Sequence, residues 1–286
     1  MLMQNNSNLE RRKIVRALAA DGGGMRGAFT AGLLAGFRDQ GIGHSFFDFY
    51  IGSSAGACTL TYYLTDQVDE GIRIWQEHLP NGFMKWRGIR PYNDLDYLGK
   101  IFREIEPLSV STLRSRKEQT FAAVSNPQTL EAEYINLNSA PDPVRILLAG
   151  VAMPFFTGPV VINDRPYYDG GITSAIPFKK AEADGANEVW VVATTPIHYR
   201  RKPLRWRVAS WFITFDPQVR KLIANRPVWE NQTLEEIERR TDLVVIRPTE
   251  NLPVHWRNSD KGAIRATVEI GRQTAKNILA ERRITA

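Results

Sequence analysis

The alternation of apolar runs and turn residues along the chain predicts an α/β protein. The run KIVRALAA at 13–20 is apolar enough for a strand buried on both faces, and glycines and a helical pattern at 28–41 follow it. The same order recurs with a strand at 45–52 and a helix at 55–67. Strand, tight turn and helix in succession predict parallel strands covered by helices.

The same patterns continue after residue 80. The segment 81–93 contains Gly, Pro and Asn and is predicted to be a loop, and a helix follows with Asn93 as its cap. The other predicted elements are strands at 120–126 and 130–137, a helix from Pro143, a hairpin around Asn163 to Pro166, strands at 187–195 and 241–248, and a helix from Asp260. No linker marks a boundary. We therefore expect one domain over 1–286, with core motifs in 14–196 and a basic, mainly helical part with one further strand in 200–286.

Composition and charge bear on partners and compartment. The 286 residues carry a net charge of +6, which favours acidic partners; no nucleic-acid motif accompanies the charge, so no nucleic acid is expected as a partner. A single cysteine, Cys58, excludes an internal disulfide framework and a cysteine-rich zinc site. No apolar run reaches the roughly 18–20 residues that span a bilayer, and residues 1–15 lack the apolar core of a signal peptide. A cytoplasmic protein is predicted.

A glycine-rich turn separates the first predicted strand from its helix. The run GGGMRG, which begins with Gly22, Gly23 and Gly24, fits G-x-G-x-x-G. A dinucleotide site also needs an acidic residue at the exit of the next strand, and Asp48 lies inside that predicted strand. The other use of such a turn is an oxyanion hole, because consecutive glycines expose backbone N–H groups at the positive end of a helix. Arg26 adds a positive charge nearby. A glycine-rich connection without a ligand is the plain alternative.

The second predicted strand ends on a candidate nucleophile. Gly52-x-Ser54-x-Gly56 matches G-x-S-x-G between a strand and a helix, the context in which that motif places a serine on a sharp turn. Serine needs a base to take its proton, and in an α/β-hydrolase this base is a histidine late in the chain. The four histidines, at 44, 78, 198 and 255, lie in no context that specifies a base. In addition, Ser54 follows only two predicted strands, which is early for that fold.

A third segment supplies an acid. The run YYDGGITSAIP places Asp169 at a strand end, and Gly170 and Gly171 leave space beside its carboxylate. Asp-Gly is also a common turn signal, and alone this segment indicates a turn. Together with the glycine turn and Ser54, it makes Asp169 the candidate base.

In this order the three segments resemble the signatures of the patatin-like phospholipase family. They are DGGGMRG at 21–27, GSSAG at 52–56 and DGG at 169–171, and the resemblance spans roughly 14–196. It implies a three-layer α/β/α sandwich with a mostly parallel central sheet, in agreement with the strand and helix pattern. It also implies a Ser54–Asp169 dyad without histidine that works through an acyl-enzyme, with the N–H groups of Gly22–Gly24 holding the oxyanion. This scheme needs no metal and no other cofactor.

The expected activity is hydrolysis of lipid acyl esters, of the phospholipase A or lysophospholipase type. One alternative is an acyltransferase, in which the same dyad passes the acyl group to an alcohol instead of water. The other is a lipid-binding protein that keeps the fold without turnover. An altered Ser54 or Asp169 would favour this last alternative, and both residues are intact.

A basic, aromatic segment follows the core motifs. Residues 199–212 contain five basic residues and no acidic one. A helical projection places Arg205 and Arg207 beside an apolar face formed by Leu204, Val208, Trp211, Phe212 and Phe215. One use of such a face, and the commoner one, is packing on the core of the same domain. The alternative is a helix at the surface of an anionic membrane, with contact through 199–215, which would make the protein peripherally membrane-associated.

Overall fold

A mixed sheet forms the centre of the molecule. The computed structural model describes residues 13–87, 90–257 and 259–284. Its strands there are β1 Arg16–Ala20, β2 Phe49–Ser53, β3 Met84–Arg87, β4 Arg90–Asn93, β5 Gln119–Asn126, β6 Glu131–Asn136, β7 Val160–Ile162, β8 Arg165–Asp169, β9 Glu188–Val192 and β10 Val244–Ile246. Within these ranges eight strands form one sheet in the order β10-β9-β1-β2-β5-β8-β7, with β6 paired to β5. From β10 to β5 all pairs are parallel, and the pairs that involve β6, β7 and β8 are antiparallel.

Helices cover both faces of the sheet. They are α1 Ala28–Asp39, α2 Ala55–Leu64, α3 Val68–Arg73, α4 Leu79–Gly82, α5 Leu95–Lys100, α6 Val110–Ser115, α7 Pro143–Gly150, α8 Phe178–Ala183, α9 Pro203–Ile213, α10 Pro217–Arg239 and α11 Lys261–Arg282, and π-helical turns at Ile74–His78 and Ile101–Ile105 continue α3 and α5. Among the residues described, no helix combines the length and the apolar character that crossing a bilayer requires.

Strand β1 shows how the layers are arranged. Successive side chains of a strand point to opposite faces. Leu18 and Ala20 accordingly lie in one apolar core with side chains of α1 and α11, whereas Ala17 and Ala19 lie in a second core with side chains of α8 and α10. The predicted three-layer α/β/α sandwich with a mostly parallel sheet is therefore confirmed.

Strands β2 and β8 approach each other end to end along β5. On one side of β5, β2 runs parallel up to the pair Ser53–Ala123. On the other side, β6 pairs along most of its length. Strand β8 runs antiparallel to β5 and ends with Asp169 opposite Val124. It therefore pairs with the same edge of β5 as β2 does, from the residue after the one where β2 ends. The residue after β2 and the last residue of β8 therefore meet at the same point of the sheet.

Two local predictions differ from the structure. The segment 81–93, predicted to be a loop, contains the antiparallel hairpin β3–β4. The cap of α5 is Asp94 rather than Asn93, because the Asp94 carboxylate accepts a hydrogen bond of 2.9 Å from the N–H of Tyr97. The N–H of Asn93 instead donates to the carbonyl of Phe156.

Helix α9 does not pack by the apolar face that the helical projection shows. Trp206 and Ile213, seven positions apart, contact the apolar cluster that contains side chains of α10. The apolar face of the projection is exposed, at 54–96% for its five members Leu204, Val208, Trp211, Phe212 and Phe215. The helix also ends at Ile213, so that Phe215 lies beyond it. The structure therefore does not pack this face on the core of the domain.

Candidate active site

Ser54 lies on a sharp turn between β2 and α2. Its backbone has φ 53° and ψ −129°, a conformation rare for a residue with a side chain and characteristic of strained functional positions. Close packing holds this turn in place. A Cβ on Gly52 would lie 2.3 Å from the nitrogen of Ala57, and one on Gly56 would lie 2.4 Å from the carbonyl oxygen of Asp21. The two glycines are thus required because backbone occupies the space of a side chain.

Asp169 contacts Ser54 directly. The Ser54 Oγ donates a hydrogen bond of 2.7 Å to Oδ2 of Asp169, and both side chains are buried. The other carboxylate oxygen accepts a hydrogen bond of 2.7 Å from the N–H of Gly171. A Cβ on Gly170 would lie 2.1 Å from the carbonyl oxygen of Ala123, which ties this turn to β5. The carboxylate is thereby fixed on both oxygens.

The surroundings of Asp169 act on its proton affinity in opposite directions. Burial raises the pKa of Asp169 above its ordinary value, and the nearby Glu230 charge adds to this. The positive charge of Arg226 and the hydrogen bonds from Ser54 and Gly171 oppose the rise. Ionised Asp169 therefore binds a proton more readily than a carboxylate in water, which is what a general base requires.

The glycine turn lies against Ser54. A Cβ on Gly22 would be 2.5 Å from the Cβ of Ser54, and Gly23 and Gly24 have φ angles of 78° and 59°, which glycine adopts without strain. The N–H groups of Met25 and Arg26 already donate to carbonyl groups, those of Trp256 and Gly23 respectively; within the described ranges, the N–H groups of residues 22–24 have no acceptor. These three donors remain for a ligand.

Arg26 is held beside this turn by a buried polar group. Its Nε donates a hydrogen bond of 3.3 Å to Oγ1 of Thr194, and Thr194 donates both its N–H and its hydroxyl to the carboxylate of Asp21. Burial raises the pKa of Asp21, while the charge of Arg26 and the hydrogen bonds from Thr194 oppose the rise. Arg26 lines the same cavity as Ser54.

A cavity of about 120 Å³ is lined by Ser54 and Asp169. Part of its wall is the face of α2 that carries Cys58 and Tyr62, and this face reaches about 12 Å from Ser54 at 1.5 Å per residue. Apolar side chains from the elements after α2 complete this part of the wall: Ile74, Trp75, Leu79, Phe83, Met84, Leu98 and Phe102. This part of the cavity suits an apolar chain.

A second part of the wall comes from residues after 200, which the sequence did not indicate. Arg201, Trp206, Arg226, Glu230 and Trp256 all line the cavity. One signal in the sequence was available, since Arg226 and Glu230 are four positions apart and so share a face of the helix α10. Nothing in the pattern of α10 showed that this face would reach the active site, because tertiary packing alone brings it there.

Comparisons with known proteins agree with this architecture. A family model described as patatin-like phospholipase matches residues 18–182. Uncharacterized protein YjjU of Escherichia coli (strain K12) is 30% identical over 204 residues, which are 68% of this chain and 56% of that protein. The crystal structure of VipD from Legionella pneumophila superposes with a TM-score of 0.58 at 12% identity, over 94% of this chain and 67% of that one, and it supports the fold. The family model covers more than half of the chain, and the chain belongs to the patatin-like phospholipase family.

Proposed function

We propose that the protein is a serine acyl-ester hydrolase acting on lipids, of the phospholipase A or lysophospholipase type, with Ser54 as nucleophile and Asp169 as base. Membership of the family supports lipid acyl hydrolysis in general. The observation that carries the specific assignment is the buried hydrogen bond of 2.7 Å from Ser54 Oγ to Asp169 Oδ2. It joins a hydroxyl on a strained turn to a carboxylate of raised pKa.

The proposed reaction has two halves. Asp169 takes the hydroxyl proton of Ser54 while Oγ attacks the ester carbonyl, and the N–H groups of Gly22–Gly24 stabilise the negative charge that develops on the carbonyl oxygen. The carbon–oxygen bond to the alcohol then breaks, and the alcohol leaves with the proton from Asp169. In the second half, Asp169 takes a proton from water, which attacks the acyl-enzyme. Ser54 leaves with that proton, and the fatty acid is released.

The positions of the histidines support a dyad rather than a triad. All four are among the described residues, and none lines the cavity. Two of them contact carboxylates elsewhere: His44 lies 3.5 Å from Glu118, and His78 lies 3.3 Å from Glu106. Asp169 is the group that contacts the Ser54 hydroxyl.

Labelling with a fluorophosphonate, mapped by peptide mass, tests this proposal. We expect a phosphonate on Ser54 that Ser54→Ala abolishes. The adjacent Ser53→Ala is the matched control, because the Ser53 hydroxyl donates to the carbonyl of Ser174 rather than to Asp169. Release of free fatty acid, rather than its transfer to an added alcohol, distinguishes a hydrolase from an acyltransferase. Absence of label on Ser54 in folded protein would contradict the proposal.

The supply of lipid substrate is proposed to involve an anionic membrane. We call the exposed residues Leu204, Val208, Trp211, Phe212 and Phe215 the α9 surface. The side chains of Phe212 and Phe215 are 86% and 96% exposed, the exposed Arg205 and Arg207 adjoin them, and 199–212 contains no acidic residue. On the opposite side of α9, Trp206 lines the cavity. This combination of charge and apolar area fits a helix at an anionic lipid surface.

A further inference from the structure

A cluster of buried charges lies in the part of the cavity wall that is formed by residues after 200. Arg201 precedes α9, and Arg226 and Glu230 are one turn apart on α10. The Nε of Arg201 donates to Oε2 of Glu230, and the Nε of Arg226 lies 3.8 Å from the same oxygen. The three side chains are only 9–13% exposed. Two guanidinium groups therefore share the Glu230 carboxylate, and the charge of Asp169 also acts on Arg226.

These groups are charged at neutral pH. Burial acts to raise the pKa of Glu230, but the positive charges of Arg201 and Arg226 outweigh burial and hold this pKa below its ordinary value. Burial and the charge of Arg201 lower the pKa of Arg226 to about 10, which still leaves its guanidinium protonated.

Arg226 has hydrogen-bonding capacity to spare. A guanidinium carries five N–H donors. Within the described ranges, its Nε is buried without a hydrogen-bond acceptor, and the one acceptor contacted by its other nitrogens is the sulfur of Met153, 3.8 Å from Nη1. Sulfur is a weak acceptor. The ring of Trp206 lies 5.2 Å from the Arg226 guanidinium and 5.5 Å from that of Arg201, and it supports both by cation–π contact.

The cluster is close to the dyad. Met153, which Arg226 contacts, follows Ala152, whose carbonyl accepts the N–H of Asp169 over 2.9 Å. The apolar wall along α2 suits the acyl chain, so the arginine cluster is left for the alcohol portion of an ester. The unused donors of Arg226, beside the second guanidinium of Arg201, match the several oxygens of a phosphate better than a single carboxylate does.

We propose that Arg201 and Arg226, held by Glu230 and Trp206, form a subsite for a phosphate group on the alcohol portion of the acyl ester. This inference rests on the proposed acyl hydrolysis and adds a selectivity to it. Esters whose alcohol carries a phosphate are hydrolysed in preference to neutral esters with the same acyl chain. The residues responsible lie outside the part of the chain that the family model matches.

The test compares octanoylglycerol with octanoylglycerol phosphate, both below their micelle concentrations. Wild-type protein is expected to show a higher kcat/KM for the phosphate ester. Arg226→Gln should reduce the ratio of the two kcat/KM values by roughly 10- to 100-fold, the range for a charge-assisted contact. Arg226→Lys should retain part of the preference. Arg239→Gln, at an exposed arginine on the same helix, is the matched control and should keep the ratio.

Two results would overturn the proposal: equal kcat/KM of the wild type for both esters, or an unchanged ratio in Arg226→Gln. Inhibition by inorganic phosphate that Arg226→Gln removes would show that the subsite also takes free phosphate. If the wild type prefers the phosphate ester but inorganic phosphate does not inhibit it, the subsite binds phosphate only as part of the ester. If neither ester is hydrolysed, the acyl hydrolase proposal fails, and this result alone does not decide the subsite proposal. Titration of Ser54→Ala protein with both esters then still tests the subsite, and equal affinity would overturn it.

Discussion

Gly22 and Ser54 are packed so closely that no side chain fits between them. A Cβ built on Gly22 lies 2.5 Å from the Cβ of Ser54 and 3.2 Å from its Oγ. The distance between the proposed oxyanion donors and the proposed nucleophile is therefore set by direct contact, and a larger residue at either position must displace the other.

Gly22→Ala is expected to lower kcat/KM by about 10²-fold. The added methyl group displaces Ser54 from the carbonyl that it attacks, and displacement of about 1 Å is enough for a loss of this size. Ester hydrolysis with a fixed substrate measures the effect, and circular dichroism reports whether the variant is folded. Gly43→Ala serves as the control because no atom lies within 4 Å of its added Cβ. Activity of folded Gly22→Ala within twofold of wild type would argue against the tight contact.

Asp169→Asn is expected to reduce hydrolysis by about 10³-fold, the usual scale for loss of a general base, without loss of stability at pH 7. Burial raises the pKa of Asp169, so the native state binds its proton more tightly than the unfolded state. The stability that this proton provides is present below the unfolded pKa and is lost as pH rises through the folded pKa. The neutral amide avoids that loss.

Urea unfolding of wild type and Asp169→Asn at pH 4 and pH 7 measures this difference. The free energy of unfolding of the variant, relative to wild type, should be higher at pH 7 than at pH 4. The opposite trend would mean that the carboxylate is stabilised in the folded protein.

The pH dependence of catalysis should show the same raised pKa. In the proposed mechanism ionised Asp169 is the active form, so kcat/KM should rise with pH through a pKa above about 3.9, the ordinary value for aspartate. Burial sets the direction, Glu230 reinforces it, and Arg226 with the hydrogen bonds from Ser54 and Gly171 opposes it. A pH profile on protein shown to be folded at each pH is the measurement. An acidic limb at or below the ordinary aspartate pKa would contradict the assignment.

Cys58 should be unreactive although it lines the cavity. Burial raises the pKa of its thiol to about 12, so almost no thiolate is present at neutral pH. Iodoacetamide at pH 7 should alkylate native protein far more slowly than urea-unfolded protein, as followed by mass spectrometry. Rapid alkylation of the native protein would mean that the thiol is not desolvated.

The double variant Trp211→Ser/Phe212→Ser should weaken binding to vesicles that contain phosphatidylglycerol. Burying one large apolar side chain is worth roughly 1.5–3 kcal/mol, so the loss should be at least about tenfold. Co-sedimentation with vesicles measures it, and phosphatidylcholine vesicles test the contribution of anionic charge. Ile270→Ser, at an exposed residue of α11, is the control. If wild-type protein does not bind vesicles and instead dimerises through the α9 surface, the membrane proposal is contradicted.

The part of the site that could be predicted is the part carried by short contiguous motifs. Gly52, Ser54 and Asp169 stand at strand ends, and the local pattern of apolar and turn residues indicates those ends. Parallel strands then bring glycine turn and serine turn to one edge of the sheet. The strained backbone of Ser54 follows from its motif, which places a serine on a sharp turn.

The remainder depends on packing between distant elements. The apolar periodicity of α9 is real, yet Trp206 and Ile213 bury the other face, because the position of α10 decides which side is covered. Arg226 and Glu230 look like an ordinary pair on an exposed helix until that helix lies against the cavity. The pairing of β3 with β4 cannot be predicted from the sequence, because Gly, Pro and Asn indicate a turn without showing that the flanking residues pair.

The end-to-end meeting of β2 and β8 along β5 makes Ser54 a reporter of folding. The serine and the aspartate are 115 positions apart and lie on strands of opposite direction, and β5 is the element with which both strands pair. Each half can form its own turn, but the hydroxyl gains its acceptor only when both strands are paired with β5. In a refolding experiment, fluorophosphonate labelling of Ser54 should therefore begin only when both β2 and β8 are paired with β5, and after helical structure has formed. The time at which labelling begins reports when these two pairings are complete.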